Sequence, residues 1–112
     1  MRHFYASAVE RRITKSGIIQ SYPMEAGWAS EAIFFVNVEN IVGKGARLTA
    51  SVQISPDGIN WIDEGTIFPV IEKEGHYYVK VNHFGNWLRI NAQMEGGATN
   101  TITLSVHLHL KS

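Results

Sequence analysis

The sequence predicts an all-β domain, a two-layer antiparallel β-sandwich of jelly-roll or Ig-like type with about seven or eight strands. Three observations carry this expectation. Residues 101–111 alternate strictly, with Ile102, Leu104, Val106, Leu108 and Leu110 set against Thr101, Thr103, Ser105, His107, His109 and Lys111. That period of two belongs to a strand with one buried face. Residues 47–54 repeat the pattern, with Leu48, Ala50, Val52 and Ile54 inward and Arg47, Thr49, Ser51 and Gln53 toward water. Directly after them comes Ser55-Pro56-Asp57-Gly58, a tight reversal in which proline sets one dihedral and glycine accepts positive φ.

The remaining elements follow from the same rules. In residues 87–94, Leu88, Ile90, Ala92 and Met94 alternate with Trp87, Arg89, Asn91 and Gln93; Tyr77, Val79 and Val81 alternate with Tyr78 and Lys80. Residues 32–38 are apolar on both sides, Phe34, Val36 and Val38 on one and Ile33 and Phe35 on the other. Such a strand lies centrally or carries an interface. Residues 61–68 form a strand that Gly65 interrupts as a bulge. Residues 4–14 and 18–22 supply one or two more around Ser16-Gly17, and a short helix is allowed near residues 26–32. Gly43-Lys44-Gly45, Glu74-Gly75 and Glu95-Gly96-Gly97 punctuate the rest at sandwich spacing.

At 112 residues the chain is expected to be a single β-sandwich domain spanning 1–112, long enough to bury a core without staples. Cysteine is absent, so the fold holds by packing, without disulfides or thiolate metal sites. Ten basic residues balance ten acidic ones, which removes the field that would steer the protein onto nucleic acid or an anionic membrane. No apolar stretch approaches the ~20 residues of a spanning helix. The charges at Arg2, Glu10, Arg11, Arg12 and Lys15 interrupt any signal-peptide core. The expectation is a soluble protein, cytoplasmic as synthesised, with a virion or particle surface as a compatible final location.

The segment Ser55-Pro56-Asp57-Gly58-Ile59-Asn60-Trp61 resembles the Ser-x-Asp-Gly-x-x-Trp hairpins of β-sandwich modules in phage tail, capsid-decoration and bacterial surface proteins. It is also similar to the Asp-box of sialidase-like propellers, with one residue fewer between Asp57 and Gly58. The resemblance implies an architectural role: Asp57 closes the turn, Gly58 takes positive φ and Trp61 covers the hairpin. It implies no ligand.

Other candidate residues come from the strand faces. Trp87 and Arg89 stand opposite Leu88 and Ile90, so an indole and a guanidinium share an outward side unless a second layer covers them. These residue types are enriched at interface hot spots, and an exposed aromatic also stacks on sugars. Tyr78 and Trp28 are candidates to join them, with Asn91 and Gln93 as hydrogen-bonding neighbours. His107 and His109 project the same way and can share a metal if His3, His76, His83 or a carboxylate adds a third ligand. Their ordinary alternative is a solvated strand face.

For catalysis, the chain has no Gly-x-Ser-x-Gly elbow and no glycine-rich phosphate loop leading into a helix. Its two aspartates are Asp57, in a turn, and Asp63. The sequence therefore points to no enzyme and no cofactor. It favours a non-enzymatic structural or assembly module, homo-oligomeric or decorating a larger, phage-like particle. The alternatives are a carbohydrate- or receptor-binding module using Trp87, Tyr78 or Trp28, and a cupin-like metal protein using His107 and His109. Leu110, Lys111 and Ser112 follow that histidine pair, and none is the carboxylate a cupin spaces after its His-x-His.

Overall fold

The computed structural model describes residues 4–82, 84–96 and 99–112. Among them are nine strands and no helix: β1 (Phe4–Lys15), β2 (Ile18–Gln20), β3 (Met24–Glu25), β4 (Glu31–Val42), β5 (Arg47–Ser55), β6 (Ile62–Ile67), β7 (Gly75–Asn82), β8 (Trp87–Glu95) and β9 (Thr101–Lys111). The short helix allowed near residues 26–32 is not formed. Instead the Ala26 amide donates to the Asn86 carbonyl and the Ala29 amide to the Ala26 carbonyl at 3.0 Å. This makes a turn after Met24 and Glu25, which pair with Leu88 and Trp87, and β4 begins at Glu31. The two-residue β3 takes the total past the expected seven or eight.

The strands form two antiparallel sheets, β1-β9-β4-β7 and β2-β8-β5-β6, with β3 added beside β8. Pairing is concentric: β1 meets β9, β2 meets β8, β4 meets β7 and β5 meets β6. A chain doubled on itself in this way and wrapped across two layers is a jelly roll. That order decides between the two expected sandwich types, which share the same alternation and differ only in connectivity.

Inward residues from both layers make one core. On β9, Ile102, Leu104, Val106, Leu108 and Leu110 are all at most 3% exposed. Phe34 lies directly beside Leu108 on one side and Val79 on the other. Opposite them the second layer supplies Leu48, Val52, Leu88, Ile90 and Met94. Each such side chain contributes about 1.5–3 kcal/mol on burial, which ties each strand's face to its sequence parity.

The irregularities are local. The register of β1 against β9 shifts twice between Ala8 and Ile13. Arg12, within that bulge, adopts φ 44°, while its amide donates to Ser105 Oγ at 2.9 Å and its side chain pairs with Glu39 at 3.0 Å. Gly65, at φ 113°, lies in the irregular part of the β5–β6 ladder between Asp63 and Ile67. Gly97, part of one predicted turn, lies outside the described residues.

Candidate functional site

Each sheet has an outer face, and the candidate residues divide between them. Trp87, Arg89, Asn91 and Gln93 are on β8 and look out from the β2-β8-β5-β6 sheet. His107 and His109 are on β9, and Tyr78 on β7, in the other sheet. Tyr78, a sequence candidate to join Trp87 and Arg89, is thus on the other sheet from them. Period-two alternation separates inside from outside without saying which layer a strand joins.

On the β1-β9-β4-β7 face, aromatic side chains cross all four strands. The His109 ring packs edge-on against Phe35 of β4, with centroids 4.8 Å apart, and against Phe4 of β1 at 5.7 Å. Phe35 also meets Tyr78 of β7 at 6.2 Å. Register explains the cluster: Phe35 lies opposite both Tyr78 and His107, and Ile33 opposite His109. Phe4 is 61%, Tyr78 58% and Phe35 36% exposed. The doubly apolar residues 32–38 thus run centrally, as expected, yet among the described residues their outer side meets no other layer.

For the histidine pair, geometry supplies aromatic neighbours. Among the described residues no group of three or more His, Cys, Asp or Glu side chains is placed to hold a metal. His76 lies opposite Asn37, and His3 and His83 lie outside the described residues.

On the opposite face, Arg89 anchors a chain of polar contacts. Its Nε donates to Gln53 Oε1 at 2.8 Å, and Gln53 Nε2 donates to Asp63 Oδ1 at 3.1 Å. Its guanidinium lies over the Trp61 ring, 4.2 Å from the centroid. Partial burial lowers the Arg89 pKa by penalising its charged form, and the side chain still remains a cation throughout the accessible pH range. Farther along, Gln20 Nε2 donates to Asn91 Oδ1 at 3.2 Å, and Gln93 is exposed beside Thr49. Trp28 is 44% exposed in the connection between β3 and β4.

Asp57 and Gly58 lie in the turn between β5 and β6, just before Trp61. Asp57 Oδ1 accepts hydrogen bonds from the amides of Ile59 and Asn60, both 2.8 Å, and from Ser55 Oγ at 2.9 Å. Its Oδ2 accepts from Asn60 Nδ2 at 2.8 Å. The buried Ser55 hydroxyl in turn accepts from the amides of Asp57 and Gly58. The Asn60 and Ile59 amides, then the two side chains, hold the Asp57 carboxyl far below the usual carboxylate range. Gly58 has φ 78°, and a Cβ there would lie 3.3 Å from Trp87 Cε2. The indole under the hairpin is therefore that of half-buried Trp87, while Trp61 serves Arg89.

Residues that sequence reasoning did not bring to a site are Phe4, Ile33 and Phe35 on one face, and Thr49, Ser51 and Gln53 on the other. Apolar residues on both sides of residues 32–38 were the available signal for Phe35. Nothing local marks Phe4, which reaches His109 only through the long-range pairing of the two chain ends.

Comparison with known proteins gives a family and a fold. Residues 31–111 match the family described as "Domain of unknown function (DUF6385)". No significant match was found among curated proteins. The chain is similar in structure to the SPBc2 prophage-derived protein YomS, with a TM-score of 0.60 and 5% identity, covering 100% of this chain and 96% of that one. It is also similar to part of a chain in the structure of infectious bursal disease virus Gx strain, with a TM-score of 0.56, 12% identity and coverage of 100% and 32%. A third likeness is to latent PorU from Porphyromonas gingivalis, with a TM-score of 0.53, 10% identity and coverage of 99% and 13%. At these identities the likeness is one of fold.

Proposed function

The chain belongs to the DUF6385 family, and we propose that it works as a non-enzymatic assembly module that self-associates, or decorates a larger particle, through its β1-β9-β4-β7 face. The observation that carries this reading is the exposed aromatic run Phe4, His109, Phe35 and Tyr78 across all four strands. Water gains little from such a surface, and aromatic residues are the type that concentrates binding energy at interfaces. Four strands at ~4.8 Å spacing and a strand of β7's length make a face of on the order of 500 Å² in projection. With side-chain relief and a rim, that approaches the roughly 800 Å² per partner of a standard interface. A fold shared with a prophage-derived protein along its whole length suits a particle component.

Sedimentation velocity over a concentration series tests the reading. The wild-type chain is expected to form a larger species, and Phe35→Ser combined with Tyr78→Ser is expected to return it to monomer with an unchanged circular dichroism spectrum. A chain that stays monomeric at the highest soluble concentration overturns self-association, and unchanged assembly in the double variant places the interface elsewhere.

A further inference from the structure

We infer that the opposite face of the sandwich carries a binding cleft for a small, uncharged, hydroxyl-rich ligand, a neutral sugar. Its floor is set by register. Thr49 lies directly opposite Gln93, and Ser51 opposite Asn91, so two hydroxyls and two amides form a square on adjacent strands. Ile67 and Val70 rise beside them, and these six are among the residues that line an open cleft of about 250 Å³. That volume is just under the 300–1,000 Å³ typical of ligand sites and suits a single ring.

Charge distribution selects the ligand class. The Arg89, Gln53 and Asp63 chain closes one end of the face, and the Arg47–Glu95 ion pair, 3.0 Å, closes the other. Between them the floor offers only amides and hydroxyls. An ionic ligand there would lose water without a counter-charge, whereas a sugar hydroxyl can donate to one amide and accept from the next.

The floor also has hydrogen-bonding capacity to spare. Thr49 Oγ1 reaches the Gln93 carbonyl at 3.5 Å and Ser51 Oγ the Asn91 carbonyl at 3.4 Å, both at the long limit of a hydrogen bond. Gln20 occupies Asn91 Oδ1, which leaves the Asn91 amide nitrogen to donate. Ile67 and Val70 are 71% and 51% exposed, an apolar wall for the C–H face of a sugar ring. This site is on the other sheet from the aromatic face and does not rest on the assembly reading.

The test is a two-dimensional amide NMR titration of the full chain with glucose, galactose, mannose, xylose and N-acetylglucosamine, alongside glucuronate and glucose 6-phosphate. At least one neutral sugar is expected to give saturable shifts confined to β5, β8 and residues 67–70, with a millimolar Kd and at least tenfold weaker binding of the charged sugars. Asn91→Ala and, at an exposed position that does not threaten the fold, Gln93→Ala should each weaken binding at least tenfold. Phe35→Ser on the far face should leave it unchanged. The absence of saturable shifts with every neutral sugar, equal affinity for the charged ones, or undiminished binding by Gln93→Ala would overturn the proposal.

Discussion

Arg89 and Trp61 form a stacked pair, with the guanidinium 4.2 Å from the indole centroid, although β8 and the start of β6 are separated by β5. The stack spans the sheet over Gln53, which hydrogen-bonds Arg89 from the intervening strand. A double-mutant cycle of Trp61→Leu and Arg89→Met, read by urea unfolding, should give a coupling of about 0.5–1 kcal/mol, the range for a cation–π contact that is partly exposed. Coupling indistinguishable from zero would show that the two side chains merely adjoin.

The Asp57 turn predicts a specific acid sensitivity. Because the folded-state pKa of Asp57 is depressed by the Asn60 and Ile59 amides and then by the Asn60 and Ser55 side chains, its stabilisation is complete above the ordinary carboxyl pKa of about 3.9 and is lost as pH falls toward the much lower folded value. Thermal melts between about pH 5 and pH 2 should therefore show a wild-type decline in Tm that Asp57→Ala lacks in part, while Asp57→Ala starts lower at neutral pH. Parallel curves for the two proteins would refute the assignment.

Two glycines with positive φ should respond very differently to alanine. At Gly96, φ 109°, a Cβ would lie 2.6 Å from the Gly45 carbonyl oxygen and would also clash with Asn100 Nδ2, on a side chain that is 3% exposed. At Gly17, φ 67°, nothing lies within 4 Å. Gly96→Ala is expected to cost about 3 kcal/mol, combining backbone strain with a clash that must be relieved. Gly17→Ala should cost about 1 kcal/mol, the left-handed penalty alone. Similar Tm values for the two variants would contradict the packing around Asn100.

Neighbouring phenylalanines on β4 provide a further contrast. Phe34 is fully buried and Phe35 is 36% exposed, so Phe34→Ala should cost about 3–5 kcal/mol, a large share of the stability of a small domain. Phe35→Ala should cost about 1 kcal/mol or less in the monomer. Equal losses in chemical denaturation would mean that the outer face of β4 is covered as its inner face is.

Much of the fold was legible because strand geometry is local. Leu104, Val106 and Leu108 against Thr103, Ser105 and His107 can be sorted into inside and outside from spacing alone, since successive side chains point to opposite faces of any strand. The Pro56-Asp57-Gly58 reversal was legible for a similar reason: a φ of 78° at Gly58 is a property of one residue's backbone. Those residues determined the class of the fold, the interior of each strand and the position of the β5–β6 turn.

Tertiary structure decided which strands share a layer, and with it every candidate surface. The alternation in β8 is the same whichever sheet it joins, so only the concentric pairing separates Trp87 and Arg89 from His107 and His109. That pairing sets Phe4 beside His109 from opposite ends of the chain and places Trp61, not Trp87, over Arg89. Such contacts depend on the summed burial of whole faces and on strand order. Both are long-range quantities that no window of neighbouring residues contains.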